Sequence, residues 1–192
     1  MRGSFTDQIK QRKTDEWYTP AKAVRIIVPY LLRKGYKKII CPFDKEESNF
    51  VQVLRENGFE VAHSHIEDGI DFFGIENFTE YDAVVSNPPY SRREEILEKL
   101  YMKKIPFALI LNSNGLFDSR KRWELFRDNE IQILVPSGRI HFFNDKTSEN
   151  CPNFQSIYVC SGILDKQIEF AEMEKNTAND TQVPGQIQMV LE

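Results

Sequence analysis

Short apolar runs with strand character alternate with amphipathic segments of helical periodicity along most of this chain. The runs cover residues 37–41, 59–63, 81–85, 106–111, 131–135 and 155–163, and the helical segments cover residues 20–35, 47–57, 92–102 and 115–129. A helix between successive strands lets the strands pair in parallel, with helices on both faces of the sheet. The sequence therefore predicts an α/β fold with a mostly parallel, doubly wound sheet.

Length and composition fit one globular domain. The chain has 192 residues, of which 41% are hydrophobic and 28% are charged, enough for a sizeable core. No apolar run approaches the roughly 18 residues of a membrane span, and the polar start of the chain lacks a signal-peptide core. We therefore expect a cytoplasmic protein with a polar arm at 1–14, a domain at 15–173 and a flexible tail at 174–192.

Charged residues and cysteines restrict the partners. The net charge of −4 argues against a general nucleic-acid binder, although clustered cations can still bind phosphates. Such clusters occur at 10–13, 33–38, 92–93, 103–104 and 120–122, and they are either solvated faces or parts of one basic stripe. Three cysteines without CxxC spacing predict no disulfide, and His63 and His65 lack the further ligands of a metal site.

The stretch 84–90 joins a buried strand to a polar turn. Pro88 and Pro89 fix their own φ near −65° and bar the residues before them from the helical region, so Asn87 is held extended at the end of the strand. Open α/β sheets bind ligands at this edge. The side-chain oxygen of Asn87 and the carbonyl of Pro88 are two acceptors for an exocyclic amine, and Tyr90 offers a ring for stacking.

The sequence Asn87-Pro88-Pro89-Tyr90 resembles the (Asp/Asn/Ser)-Pro-Pro-(Tyr/Phe/Trp) motif of class I S-adenosylmethionine-dependent amino-methyltransferases. The chain looks like the small adenine-N6 DNA methyltransferases of phages and mobile elements, over roughly residues 15–163. This resemblance implies a Rossmann-like fold with one antiparallel strand at 155–163. It also implies S-adenosylmethionine as cofactor and catalysis by these four residues on an adenine flipped out of DNA. The alternative is a proline turn between strand and helix.

Two segments resemble elements that bind the methionine end of the cofactor. The first is Trp17-Tyr18-Thr19-Pro20, in which Thr19 would cap the first helix; this segment could equally be a hydrophobic anchor. The second is the turn after the first strand, which matches the family at Pro42 and Phe43 but has Lys45 and Glu47 where the family has glycine. Asp44, Ser48 or Asn49 would then contact the cofactor amino group.

Two further segments resemble elements that bind the nucleoside. His63 ends the second strand, where the family has an acid for the ribose hydroxyls. Residues 69–73 resemble the family's Gly-x-Asp-Phe-Phe element, in which Asp71 would accept from the adenine amine of the cofactor and Phe72 would border its ring.

The remaining polar segments carry two hypotheses about partners. The loop 136–154 is either a flexible excursion or a substrate-reading element, with Arg139, His141 and Phe142 placed to contact a nucleotide; Phe142 and Phe143 could equally be core residues. Residues 186–191 resemble peptides that dock on the bacterial sliding clamp, and the alternatives are a frayed terminus or a segment packed on its own domain.

The leading function is an adenine-N6 DNA methyltransferase. One rival is a binding protein that keeps the fold without the cofactor, which the missing glycines and ribose acid would explain. The other is a methyltransferase acting on RNA or on a protein glutamine, because the same turn can hold any planar amine or amide.

Overall fold

The computed structural model describes residues 18–144, 147–150 and 154–174, with side chains for 18–143 and 154–174. Trp17, the predicted arm at 1–14 and the segment 186–191 lie outside the described residues. The predicted α/β fold is confirmed. Its centre is a seven-stranded sheet with the strand order β2-β1-β3-β4-β8-β5-β9, and a two-stranded ribbon pairs β6 with β7.

The strands lie close to the predicted positions. Those of the sheet are β1 (Lys38–Cys41), β2 (Glu60–His63), β3 (Ala83–Ser86), β4 (Phe107–Asn112), β5 (Gln132–Pro136), β8 (Ser156–Ser161) and β9 (Ile168–Ala171). The ribbon consists of β6 (Phe142–Asn144) and β7 (Thr147–Asn150). The sheet is parallel except for β8, which runs antiparallel to both β4 and β5, so the single antiparallel strand near the C-terminus is confirmed.

The part of the chain that the structure describes has five α-helices, two before β1 and three between strands. They are α1 (Ala21–Arg25), α2 (Val28–Arg33), α3 (Asn49–Glu56), α4 (Arg93–Lys103) and α5 (Arg120–Asp128). Ser48 begins α3 because its side chain accepts from the backbone N–H of Val51. Gly58 follows α3 with a φ of +88°, the left-handed geometry that glycine adopts most easily.

The sheet separates two hydrophobic clusters, because side chains alternate between its faces. One cluster joins residues of α1, α2 and α3 to sheet residues such as Ile39, Val85 and Tyr158. The other joins residues of α4 and α5 to sheet residues such as Val84, Leu109 and Val159. The central strands of the sheet are covered on both faces, and their sequences are therefore continuously apolar and do not alternate with polar residues.

Several element boundaries differ from the prediction. Pro20, not Thr19, is the N-cap of the first helix, and the segment to Gly35 forms two helices, with Pro29 in the first turn of α2. The helix predicted from residue 115 begins at Arg120, because Ser119 caps it there. The segment 136–154 contains the ribbon strands β6 and β7, and β9 follows the strand that was predicted to be last.

None of the helices within residues 18–174 that the structure describes is long and apolar enough to cross a membrane.

Candidate active site at the switch point of the sheet

The order of the strands creates a crevice between β1 and β3. β1 pairs with β2 on one side and with β3 on the other, so the chain direction across the sheet reverses between β1 and β3. Ligands of open α/β sheets bind at such a switch point, beyond the carboxyl ends of the strands. Asn87 follows β3 and Asp44 follows β1, and the fold therefore brings these two predicted residues to the same crevice.

Asn87 carries an acceptor that the described part of the protein does not use. Its Oδ1 is buried and has no hydrogen-bond partner there. A buried acceptor without a partner costs about 1–3 kcal/mol, so Asn87 Oδ1 is a candidate to accept from a ligand or a water molecule. Pro89, the second proline of the turn, has an extended backbone, with φ −62° and ψ 120°.

Tyr90 begins the short 3₁₀ helix Tyr90–Arg92 directly after the prolines. Its half-buried ring meets the ring of Phe154 edge-on, with 6.2 Å between the ring centroids. Phe154 immediately precedes the entry to β8, so the aromatic residue of the motif is held against a second element of the same sheet edge.

Asp44 is a buried carboxylate that accepts hydrogen bonds from two serines. Ser48 Oγ donates to Asp44 Oδ1 at 2.7 Å, and Ser86 Oγ donates to Asp44 Oδ2. Burial raises the pKa of Asp44 to about 7, against the lowering effect of these two hydrogen bonds. Both carboxylate oxygens thus have partners within the protein, and the contact of Asp44, Ser48 or Asn49 to the cofactor stays a prediction.

A polar cleft of about 560 Å³ opens at the carboxyl ends of β1 and β2. Its lining comprises Lys45, Glu46, Glu47, His63, Glu67 and Asp68. His63 Nε2 lies 2.7 Å from Glu46 Oε2, while His63 Nδ1 is buried without a hydrogen-bond partner among the described residues. With Nε2 as the donor to Glu46, Nδ1 carries a lone pair that can accept from a hydroxyl.

These residues fit the polar part of S-adenosylmethionine. The carboxylates of the cleft can accept from hydroxyl and ammonium groups, and His63 Nδ1 has no partner among the described residues at the position where the ribose contact was predicted. Lys45 stands at the first missing glycine and forms an ion pair with Glu67, with 2.6 Å between Nζ and Oε2. That side chain therefore lies along the wall of the cleft.

In the segment 71–74, Asp71 and Phe72 lie in different environments. Asp71 is exposed, and its Oδ1 accepts from the backbone N–H of Phe73 at 3.1 Å. Phe72 is only 2% exposed and packs on Phe43, with 4.9 Å between the ring centroids. Lys99 Nζ secures the turn by donating to the carbonyls of Phe72 and Phe73 at 3.0 and 2.9 Å. Phe72 is thus a core residue, and Asp71 has an open face toward solvent.

The lead-in to α1 lies beside the same crevice. Asn49 Nδ2 donates to the carbonyl of Thr19 at 2.8 Å, which ties the lead-in to the start of α3. Tyr18 forms a two-way backbone bridge with Phe143 and stacks on its ring at 5.7 Å. Pro20 is buried next to Thr19.

The residues predicted to contact the substrate differ in their exposure to solvent. Arg139 is exposed and His141 is half-buried. Phe142 and Phe143 are 5% and 1% exposed, so the core alternative applies to both rings. A nucleotide contact from this segment therefore depends on Arg139 and His141.

Most of the cationic clusters that could have formed one basic stripe are paired with acidic residues. Arg33 and Lys34 pair with Asp165, and Lys121 pairs with Glu98. Arg92, Lys103, Arg120 and Arg122 pair with Glu95, Glu76, Glu124 and Glu94, respectively. The described residues favour solvated, charge-balanced faces over a continuous basic stripe.

Sequence reasoning missed Ser86 and Lys99. Ser86 is fully buried at the end of β3, and a hydroxyl at the end of an otherwise apolar strand was the available signal. Lys99 is 8% exposed on the inward face of α4, and its position beside Leu100 was the corresponding signal.

No protein-family model matches the chain. No curated protein matches it either. Solved structures do match. One is the methyltransferase subunit of a type I restriction-modification system from Streptococcus thermophilus, with a TM-score of 0.52 and 12% identity over 84% of this chain and 49% of that chain.

Two further solved structures have lower scores. A modification subunit of a putative type I restriction enzyme from Vibrio vulnificus has a TM-score of 0.49 and 12% identity over 88% of this chain and 49% of that chain. A protein-(glutamine-N5) methyltransferase from Alicyclobacillus acidocaldarius has a TM-score of 0.38 and 12% identity over 73% of this chain and 91% of that chain.

The chain spans about half the length of the two restriction-system subunits. At 12% identity, the similarity to the Streptococcus thermophilus subunit concerns the fold. The chain shares the Rossmann-like α/β fold of that subunit, and its own turn at 87–90 follows β3 at the switch point of the sheet.

Proposed function

We propose that this protein is an S-adenosylmethionine-dependent methyltransferase that acts on the N6 amine of adenine in DNA. The observation that carries the proposal is the buried Asn87 Oδ1, which has no partner among the described residues and follows β3 at the switch point. An amine donor from a substrate would satisfy this acceptor. The adjoining carbonyl of Pro88 would accept a hydrogen bond from the second N–H of the same amine.

The residues of the turn account for activation of the amine. When bound, S-adenosylmethionine would supply a methyl group on a sulfonium. As the nitrogen lone pair bonds to the methyl carbon, the carbon–sulfur bond would break, the sulfur would leave as a neutral thioether, and the methylated amine would release one proton to water. Asn87 and Pro88 accept from the two amine hydrogens, which orients the lone pair and raises electron density on the nitrogen. Tyr90, braced by Phe154, stacks on the base and excludes water from one face. Positioning and preorganised acceptors supply the catalysis, so no side-chain nucleophile is needed.

The cleft at β1 and β2 supports the cofactor half of the proposal. His63 Nδ1 would accept from a ribose hydroxyl, and the carboxylates of Glu46, Glu67 and Asp68 would balance the positive charge of the cofactor. Asp71 stays a proposed acceptor for the cofactor adenine amine, with its exposed carboxylate available beside the capped turn. Arg139 and His141 stay proposed contacts to the DNA.

One specific observation favours the rival binding protein without cofactor. Lys45 and Glu47 replace the glycines of the family's loop, and the Lys45–Glu67 ion pair lies in the cleft. Calorimetric titration of the full chain with S-adenosylmethionine separates the two functions, because the enzyme requires heat of binding and the rival requires none. Labelled methyl transfer to DNA, RNA and protein fractions then identifies the substrate class.

Asn87→Ala tests the proposed chemistry. Loss of a comparable preorganised group costs about 3–4 kcal/mol, so turnover should fall by about 10²–10³. Asn87→Asp keeps the acceptor and should retain more activity than the alanine variant. Because Oδ1 has no partner among the described residues, Asn87→Ala should leave the melting temperature unchanged or raised.

Asn129→Ala provides a matched control, because that exposed asparagine lies at the end of α5 and bonds only the Leu125 carbonyl among the described residues. It should leave turnover unchanged. Near-normal turnover of Asn87→Ala would refute the proposed role of the side chain.

A further inference from the structure

β1 and β3 have a short backbone ladder. Their paired positions are Ile39 with Ala83 and Ile40 with Val84. The residues beyond this ladder lead to Asp44 on one side of the crevice and to Asn87 on the other. The separation of these two chain segments is therefore not set by ladder hydrogen bonds between paired residues of β1 and β3.

Side chains join the two segments instead. Asp44 accepts from Ser86 of β3 and from Ser48, the N-cap of α3, and these three residues are 8%, 0% and 7% exposed. We call Asp44, Ser48 and Ser86 the carboxylate clasp. Ser86 immediately precedes Asn87, and Asp44 belongs to the loop that continues into Lys45 and Glu46 of the polar cleft.

We propose that the carboxylate clasp is a positioning device that sets the distance between the substrate-binding turn at 87–90 and the cofactor-side loop at 42–48. This inference rests on the proposed methyl transfer, and it assigns to Asp44 a role inside the protein. Asp44 touches neither reactant. It acts through Ser86 on Asn87 and through Ser48 on the start of α3.

The protonation state of Asp44 controls the clasp. Both serines donate to the ionised carboxylate, whereas the protonated carboxyl must donate to one of them. Ser48 Oγ already accepts from the backbone N–H of Val51 at 3.4 Å, so reversal at Ser86 is the easier change. Protonation of Asp44 therefore reverses the hydrogen bond with Ser86, the residue directly before Asn87.

The buried groups that face Asp44 come from two strands of the sheet. The titratable groups coupled to it are the buried Cys41 of β1 and Tyr158 of β8, and their pKa values are raised by burial and, to a smaller degree, by Asp44. Arg55 of α3 lowers the pKa of the Cys41 thiol by a smaller amount. The pKa of Asp44 is raised to about 7 by burial, and the two serines oppose this rise.

The kinetic test compares the wild type with Asp44→Asn and Ser86→Ala in the full chain. In the wild type, kcat at about pH 6 should be about one-tenth of its value at about pH 8, because only the ionised clasp aligns the turn. Asp44→Asn should lose this inflection. Ser86→Ala should lower kcat by about tenfold while KM for S-adenosylmethionine changes by less than about twofold.

Ser86→Thr restores the hydroxyl and should recover activity relative to Ser86→Ala. The exposed Asp128, which pairs with Arg127, provides a control, since Asp128→Asn should keep the wild-type profile. An inflection near neutrality that persists in Asp44→Asn would overturn the proposal. A Ser86→Ala variant that has a lower melting temperature and a lower kcat/KM, but an unchanged kcat, would also overturn the proposal.

A second measurement does not depend on activity. The side-chain amide signals of Asn87 in an NMR titration should shift with a midpoint near neutrality in the wild type and stay constant in Asp44→Asn. If the Asn87 amide signals shift with pH but the protein transfers no methyl group, the proposed function is wrong and the carboxylate clasp is still supported. Methyl transfer with an Asn87 signal that ignores pH would overturn the clasp and leave the proposed function.

Discussion

The difference in unfolding free energy between Asp44→Asn and the wild type should increase in favour of the variant as the pH rises. Burial raises the pKa of Asp44 from 3.8 to about 7 in the folded state. Between these two pH values the folded protein binds more protons at Asp44 than the unfolded chain does. The free energy of unfolding of the wild type therefore falls as pH rises through this window, and the loss is complete above about pH 7.

The size of the effect follows from the same shift. At about 1.4 kcal/mol per pKa unit, a rise of about three units corresponds to about 4 kcal/mol. Asparagine has nearly the same shape but does not titrate. Its altered hydrogen bonds with Ser48 and Ser86 add an offset that does not depend on pH. The change with pH in the difference between the two proteins therefore isolates the carboxyl group.

Urea denaturation at a series of pH values measures this difference. The unfolding free energy of Asp44→Asn minus that of the wild type should increase by about 4 kcal/mol between about pH 4 and about pH 8. Asp128→Asn is the control, because the ion pair with Arg127 lowers the pKa of Asp128 and its difference should stay flat above about pH 5. A flat difference for Asp44→Asn would refute the raised pKa and the buried carboxylate.

Three further predictions concern the fold, the cofactor and the tail. Gly58→Ala should destabilise the protein by about 1–2 kcal/mol, because Gly58 has a φ of +88°, whereas Gly74→Ala, which has equal space but no positive φ, should be neutral or stabilising in the same melting experiment. His63→Ala should weaken S-adenosylmethionine binding by about 1–2 kcal/mol in calorimetry with an unchanged melting temperature, and an unchanged Kd would remove His63 from the site. The docking hypothesis for residues 186–191 requires that deletion of residues 184–192 abolish sliding-clamp pull-down without changing the melting temperature, and a lowered melting temperature with no clamp binding by the intact protein would disprove it.

The sequence alone determined the layered α/β architecture and the location of the turn at 87–90. Strand-like apolar runs and helical periodicity are local patterns, and parallel pairing follows from their alternation. The prolines act on their immediate neighbours, so a stiff turn directly after β3 could be predicted, and Pro89 is extended there. Both inferences needed only residues that are close together in the chain.

Only the tertiary structure decided which side chains meet. Asp44 and Ser86 are 42 positions apart, and their contact arises because β1 and β3 become neighbours in the sheet. The same packing buries Phe72 against Phe43 and places Lys99 over the turn at 72–73. The unsatisfied Asn87 oxygen and the raised pKa of Asp44 are consequences of burial, and burial depends on elements that are distant in the sequence.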